Sequence, residues 1–444
     1  MLRSLALGTL LAGCVGSSSS SSPPTGSTAQ DVKTSVDSAR VPATFLNGKR
    51  PHEAERGTIH NPRVGARKPS GVPGIDSIVN FTGSFTADGF DSDGNPQSVW
   101  PYSMVGRAPE ENRSTHIRAP IVPVNVELLD ASGNVATTST GAPLRLVVAP
   151  DIVSGITQSP IYGSFDYNSG RGQFNDQMMR TQFWDRFDHH HNDDGDGGYH
   201  TVLDPSVKAA RTMRLPFGSY QFALNADGTC CAFILADAGA FSTQLFPSAT
   251  VDNSTVIGSA EVSGDMTTRD ITTFLFRDVY LYDGDPSNCC ILGFHSYDLE
   301  PGDAHNGNRE RRFVMNFSSW ITPGFFGFGF EDITAASHEM SETFGDPFVD
   351  DATPWWLSID PFFGNGLCQN NLETGDVIEV LSANPVHAIP MHGRTYHPQN
   401  EALLPWFAFE SPSTARAGTY SFPDETTLMT LSPGPLLPGC SPAP

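Results

Sequence analysis

Positive charge is scarce in this sequence. Of 444 residues only 26 are lysine or arginine, against 49 aspartate and glutamate, for a formal net charge of −23. Residues 1–80 carry nine basic and five acidic residues, a net of +4. The remainder carries 17 against 44, a net of −27, and Lys208 is its one lysine. A body this acidic repels phosphate backbones and anionic membrane surfaces, which argues against nucleic acid as a partner. Charged residues of both signs reach only 17%, while glycine (42) and proline (35) are abundant. That composition excludes a coiled coil or helical repeat and favours turns and strands. Beyond the N-terminus no apolar run approaches the ~18 residues of a membrane-spanning helix. A G-x-S-x-G elbow, a P-loop and a dinucleotide fingerprint are also missing. What is there is 38% apolar and 10% aromatic residues, enough to bury a core.

The N-terminus reads as a targeting signal. A short basic start is followed by a largely apolar stretch over 5–12 and then Leu11-Ala12-Gly13-Cys14. This resembles the bacterial lipobox, which implies that 1–13 is a lipoprotein signal peptide and that Cys14 is lipidated. An ordinary signal peptide with a chance cysteine is the alternative. Six serines, Ser17–Ser22, and two prolines form a flexible spacer, so 14–75 is expected to be a Ser/Pro-rich tether and arm. The chain is therefore expected to be exported and lipid-anchored at the bacterial cell envelope or surface. Export makes Cys230, Cys231, Cys289, Cys290, Cys368 and Cys440 disulfide candidates. Adjacent cysteines fit ordinary disulfide geometry poorly, so one or two bridges joining the 230/231 turn to the 289/290 turn are expected.

From 76 to 440 the texture is that of one large domain. Strands are expected at 120–129, 144–148, 220–224, 232–235, 273–282 and 312–320. Phe174, Met178, Met179, Phe183 and Phe187 recur at helical spacing, and this stripe reads as core. The loop His189–Asp196 holds three histidines and three aspartates, yet lacks the register of a calcium loop and reads as solvated. The fold class is α+β: a mixed, mainly antiparallel sheet, strand- and loop-rich, with one helix of special interest.

That helix is predicted over 332–344, where Ile333, Ala336, Met340 and Phe344 mark a buried face. Gly345 suits a left-handed cap and Pro347 forbids continuation. His338 and Glu342 are four apart and project from one side, with Glu339 beside them. Zinc proteases place two metal-binding histidines at this spacing, with the intervening glutamate as general base. Here Glu342 replaces the second histidine, which makes the site more anionic and shifts preference toward harder metals. Downstream, Glu373 and Asp376 lie on a predicted turn and could complete a ligand set or orient His338. The expected cofactor is a divalent metal, zinc first, with manganese or calcium as alternatives. His295, alone at the end of an apolar run, reads first as a core or turn residue.

Several of these segments together carry a resemblance. Ile333–Asp346, Trp355-Trp356, Glu373–Asp376, Gly393–Tyr396 and Leu404–Ala408 resemble, in order, the exordium (phosphate-induced) protein family of plants and its bacterial secreted relatives. Cys290–His295 resembles that family's cysteine-to-histidine segment, with two inserted residues, while Val377-Ile378 stands where the family has a cysteine. The resemblance implies a secreted protein with a zincin-like His-Glu-x-x-Glu helix and a core over 290–410. Two functions are then expected. One is a tethered metallohydrolase, acting on a peptide or protein substrate, in which Glu339 activates water and His338, Glu342, Glu373 or Asp376 hold the ion. The other is a non-catalytic binding or structural module. A zincin needs a strand that can lie antiparallel to substrate above the active helix, and an open cleft over the general base.

Overall fold

The computed structural model describes residues 36–49, 51, 75–91, 95–188, 198–248, 252–327, 329–358 and 367–431. Cys14, the serine spacer, Cys440 and the His189–Asp196 loop lie outside the described residues. The described residues fall in one compact unit. Part of the expected arm belongs to it: Val41 N–H donates to the Phe222 carbonyl at 2.9 Å, and Leu46 is buried against Phe233 and Tyr280 in the core.

The body opens with a hairpin, β1 (Asn80–Phe90) and β2 (Pro96–Val105), and continues into the long strand β3 (Ser114–Leu128). A short strand β4 (Arg145–Leu146), helix α1 (Pro150–Thr157), a small hairpin of β5 (Phe165–Tyr167) and β6 (Gly170–Gly172), and helix α2 (Phe174–Gln182) follow. Next come β7 (His200–Val207), β8 (Arg211–Leu215), β9 (Tyr220–Leu224) and β10 (Cys230–Asp237). Helices α3 (Ala238–Leu245) and α4 (Val256–Ser263) lead to β11 (Ile271–Arg277), β12 (Val279–Tyr282), β13 (Cys289–Ile291), β14 (Gly293–Glu300) and β15 (Arg311–Trp320). Helix α5 (Thr334–Gly345), the hairpin of β16 (Ala352–Ser358) and β17 (Leu367–Asn371), and helix α6 (Thr374–Leu381) follow.

The fold is α+β and strand-rich, and antiparallel pairs predominate among the sheets taken together. The seven-stranded sheet is mixed. Its centre is parallel: β3 pairs with β7, β8 and β11, and β11 with β15. Every residue of β11 from Ile271 to Phe276 is buried, as a parallel strand covered on both faces requires. Its alternation sorts side chains to two cores. Ile271 and Leu275 face a cluster with Met178, Met340 and Phe344, while Phe274 and Phe276 face Phe241, Ile257 and Phe317. Helices thus cover both sides of the sheet. The outermost strand, β14, runs antiparallel to β15, and α5 packs against both.

The strand expected over 273–282 is two strands in two sheets. Asp278 separates them with φ +48, a conformation aspartate tolerates better than most residues. Its buried carboxylate accepts from Thr322 N–H and Oγ1, both at 2.7 Å, and from Tyr280 O–H at 3.0 Å. The stripe on α2 is core as expected, though the helix ends at Gln182 and a single turn over Trp184–Arg186 continues it.

The cysteines differ from expectation. Cys230–Cys231 and Cys289–Cys290 each close on themselves, with Cα atoms 3.0 Å apart across a cis peptide bond. Strand order explains why the two pairs do not join. β12 lies between β10 and β13, which separates the pairs by two strand spacings, about 10 Å. Cys289 also stands level with Tyr282, itself opposite Asp237 at the far end of β10 from Cys230. A disulfide reaches only about 7 Å between Cα atoms.

Candidate metal centre

Helix α5 begins where Asp332, at φ +45, turns the chain and accepts the Ile333 N–H at 2.5 Å. All twelve of its residues are buried. Gly345 is not a left-handed cap, as expected, but the last helical residue. Asp346 follows at φ −148, and its carboxylate accepts the N–H groups of Asp350 and Asp351, both at 2.9 Å. Pro347 and this carboxylate-bound turn end the helix without a positive φ at residue 345.

The i, i+4 pair meets as the helical period requires: His338 Nε2 lies 3.1 Å from Glu342 Oε1. Glu373 and Asp376 are not on a turn. Glu373 is the N-cap residue of α6 and Asp376 lies in its first turn, where a carboxylate complements the helix dipole. Val377 and Ile378 are buried in the apolar core. The three-residue spacing then aligns Glu373, Asp376 and Glu379 along the side that faces α5. Asp376 Oδ1 is 3.8 Å from His338 Nε2, and Glu379 Oε1 is 3.8 Å from His338 Nδ1. Gly375 N–H donates to Glu342 Oε1 at 3.1 Å. Gln399 ties the two helices together, donating from its backbone to Ser337 Oγ and from Nε2 to the Gly375 carbonyl, both at 2.9 Å.

From the sheet comes a residue that local spacing does not reveal. His295 on β14 places Nδ1 at 3.4 Å from Glu342 Oε2, 3.8 Å from Glu339 Oε2 and 3.9 Å from Glu373 Oε2. Glu379 and Glu401 are further additions. Glu401 is fully buried and accepts from Thr374 Oγ1 at 3.0 Å. The sequence signals for His295 were an ionisable residue closing an apolar run and the resemblance of the Cys290–His295 segment. Nothing marked Glu401.

Two histidines and six carboxylates therefore converge, with His338 at 0% and Glu339 at 1% exposure. Burial disfavours a charged His295, but Glu373 and Glu342 outweigh it and push its pKa up to about 9. Burial also opposes ionisation of Glu342, yet His338 and His295 hold its carboxyl well below the usual range. Asp376 moves the other way: burial, then repulsion from Glu342, pushes it well above the usual range, with Glu373 and Glu379 adding to the effect. So many acids cannot all ionise together in a dry site without a cation. Two groups of side chains could hold a metal ion here: His338, Glu339 and Glu342, and His295, Glu342 and Glu373. Imidazole and carboxylate donors suit zinc, manganese and related dications.

The position of Glu339 bears on chemistry. Gly293, the first residue of the outermost strand, lies directly on it: a Cβ there would be 2.5 Å from Glu339 Oε1. No family model, curated protein or solved structure matches this chain.

Proposed function

We propose that this protein is an exported, lipid-anchored, zincin-like metallohydrolase that cleaves peptide bonds and is related to the exordium-like secreted proteins. The observation that carries the reading is the grouping of His338, Glu339 and Glu342 on one helix beside the outermost strand β14. A strand at the end of a sheet is the kind of element on which an extended peptide can add antiparallel. His338 and Glu342 would hold the ion, with Asp376 or Glu373 completing the set. Zinc is the first candidate, and manganese or calcium the harder alternatives. A bound dication would polarise the scissile carbonyl and acidify a water molecule. Glu339, next to the ligands, would accept the water's proton and pass it to the leaving amine. Glu379, facing His338 Nδ1, would fix the ring's tautomer and orientation.

One observation favours a second reading, in which the same centre is structural. Glu339 is buried beneath Gly293, whereas catalysis needs substrate to reach it. Elemental analysis and a peptide-library digest on wild type, His338→Ala and Glu339→Gln separate the readings. The hydrolase reading expects metal in wild type, its loss in His338→Ala, and metal kept in Glu339→Gln with turnover reduced roughly 10²–10⁴-fold. Metal with no cleavage of any peptide leaves the structural reading. A metal-free wild type defeats both.

A further inference from the structure

We propose that the centre is dinuclear, with Glu342 bridging one ion on the His338 side and a second on the His295 side. This rests on the metal-binding reading above and extends it to a second ion.

The two histidines fall in different ligand groups, and Glu342 is the residue those groups share. Each imidazole addresses its own oxygen of that carboxylate: His338 Nε2 stands 3.1 Å from Oε1, and His295 Nδ1 stands 3.4 Å from Oε2. Donor atoms around one ion at 2.0–2.2 Å bond lengths lie roughly 3–4.3 Å from one another. On the first side Asp376, 3.8 Å from His338 Nε2, is within that range. On the second, Glu373 at 3.9 Å from His295 Nδ1 is as well. The His295 side therefore has an imidazole, Glu373 and one oxygen of Glu342, and the His338 side an imidazole, the other oxygen of Glu342 and Glu339, with Asp376 also within reach of the imidazole. A carboxylate bridge spaces two ions about 3.5–4 Å apart, as in two-metal hydrolytic sites.

Charge points the same way. Glu339, Glu342, Glu373, Asp376, Glu379 and Glu401 amount to −6 when all are ionised, in a site where all six are buried or nearly so. One dication leaves −4; two leave −2. With Asp376 and Glu373 as the outer ligands, Glu339 keeps its place as proton acceptor.

The test is metal stoichiometry on the purified exported protein, stripped with chelator, reloaded with Mn(II) and freed of excess metal. Two ions per chain with a spin-coupled Mn(II) resonance signal is the expected result. His295→Gln should retain one ion and lose the coupled signal, and circular dichroism would show that its fold is kept. One ion per wild-type chain overturns the dinuclear proposal and leaves the metal-binding reading standing. Two uncoupled ions, or two coupled ions in His295→Gln, overturn the bridging assignment. No ion in wild type overturns the metal-binding reading itself.

Discussion

Gly375 and His338 are packed so closely that a methyl group on residue 375 would lie 2.3 Å from the imidazole Nδ1. The ring is 0% exposed and cannot swing outward. The same glycine donates its N–H to Glu342, so one small residue seats both members of the i, i+4 pair.

Gly375→Ala should therefore displace the imidazole from its donor position. Metal affinity should fall about 10–100-fold, the usual effect of disturbing a residue that orients a ligand. Competition against a chromophoric chelator measures it, and unchanged affinity would show that His338 does not bind the ion.

Gly293→Ala acts on the base and spares the ligands. The added Cβ would meet Glu339 Oε1 at 2.5 Å and must shift that carboxylate. Metal content should stay at the wild-type level while peptide cleavage falls, as in Glu339→Gln. A fully active Gly293→Ala protein would argue that Glu339 is not the base.

Removing metal should destabilise the fold. Without a cation, α5 and α6 face each other through Glu342, Glu373, Asp376 and Glu379 in a buried site. An ion present at 1,000 times its dissociation constant stabilises by about 4 kcal/mol. Thermal unfolding with and without EDTA, followed by readdition of metal, should show a reversible drop in melting temperature.

His397 predicts a pH dependence away from the ligands. Its Nδ1 is 2.7 Å from Asp332 Oδ2 and its Nε2 is 3.3 Å from Glu331, and the Asp332 hydrogen bond raises its pKa above the ordinary 6.5. A raised folded-state pKa means the stabilisation is complete below about pH 6.5 and is lost as pH rises through the folded value. His397→Gln should flatten that part of the stability profile. Urea denaturation between pH 6 and 9 tests it, and identical slopes would contradict the assignment.

Non-reducing peptide mapping should find Cys230–Cys231 within one peptide and Cys289–Cys290 within another. A cross-linked peptide pair would contradict the strand order that keeps β10 and β13 apart.

The legible parts of the sequence are those governed by short-range geometry. His338 and Glu342 had to share a side because 3.6 residues make a helical turn, and the apolar stripe that anchors α5 follows from the same period. Strands β9, β10 and β15 announced themselves through alternation and bounding turns. Glu373 and Asp376 were legible as a downstream carboxylate pair, although their placement on a helix was not foreseen. The parallel centre of the main sheet, the break at Asp278 and the self-closed cysteine pairs depend on which strands become neighbours. No local pattern encodes that choice. The same holds for His295, 43 positions before His338 in the chain and yet 3.4 Å from Glu342. Residue type and periodicity thus set which groups could serve as ligands. The packing of β14 over α5 and of α6 beside it decided which of them meet, because distance between elements follows from burying their apolar faces together.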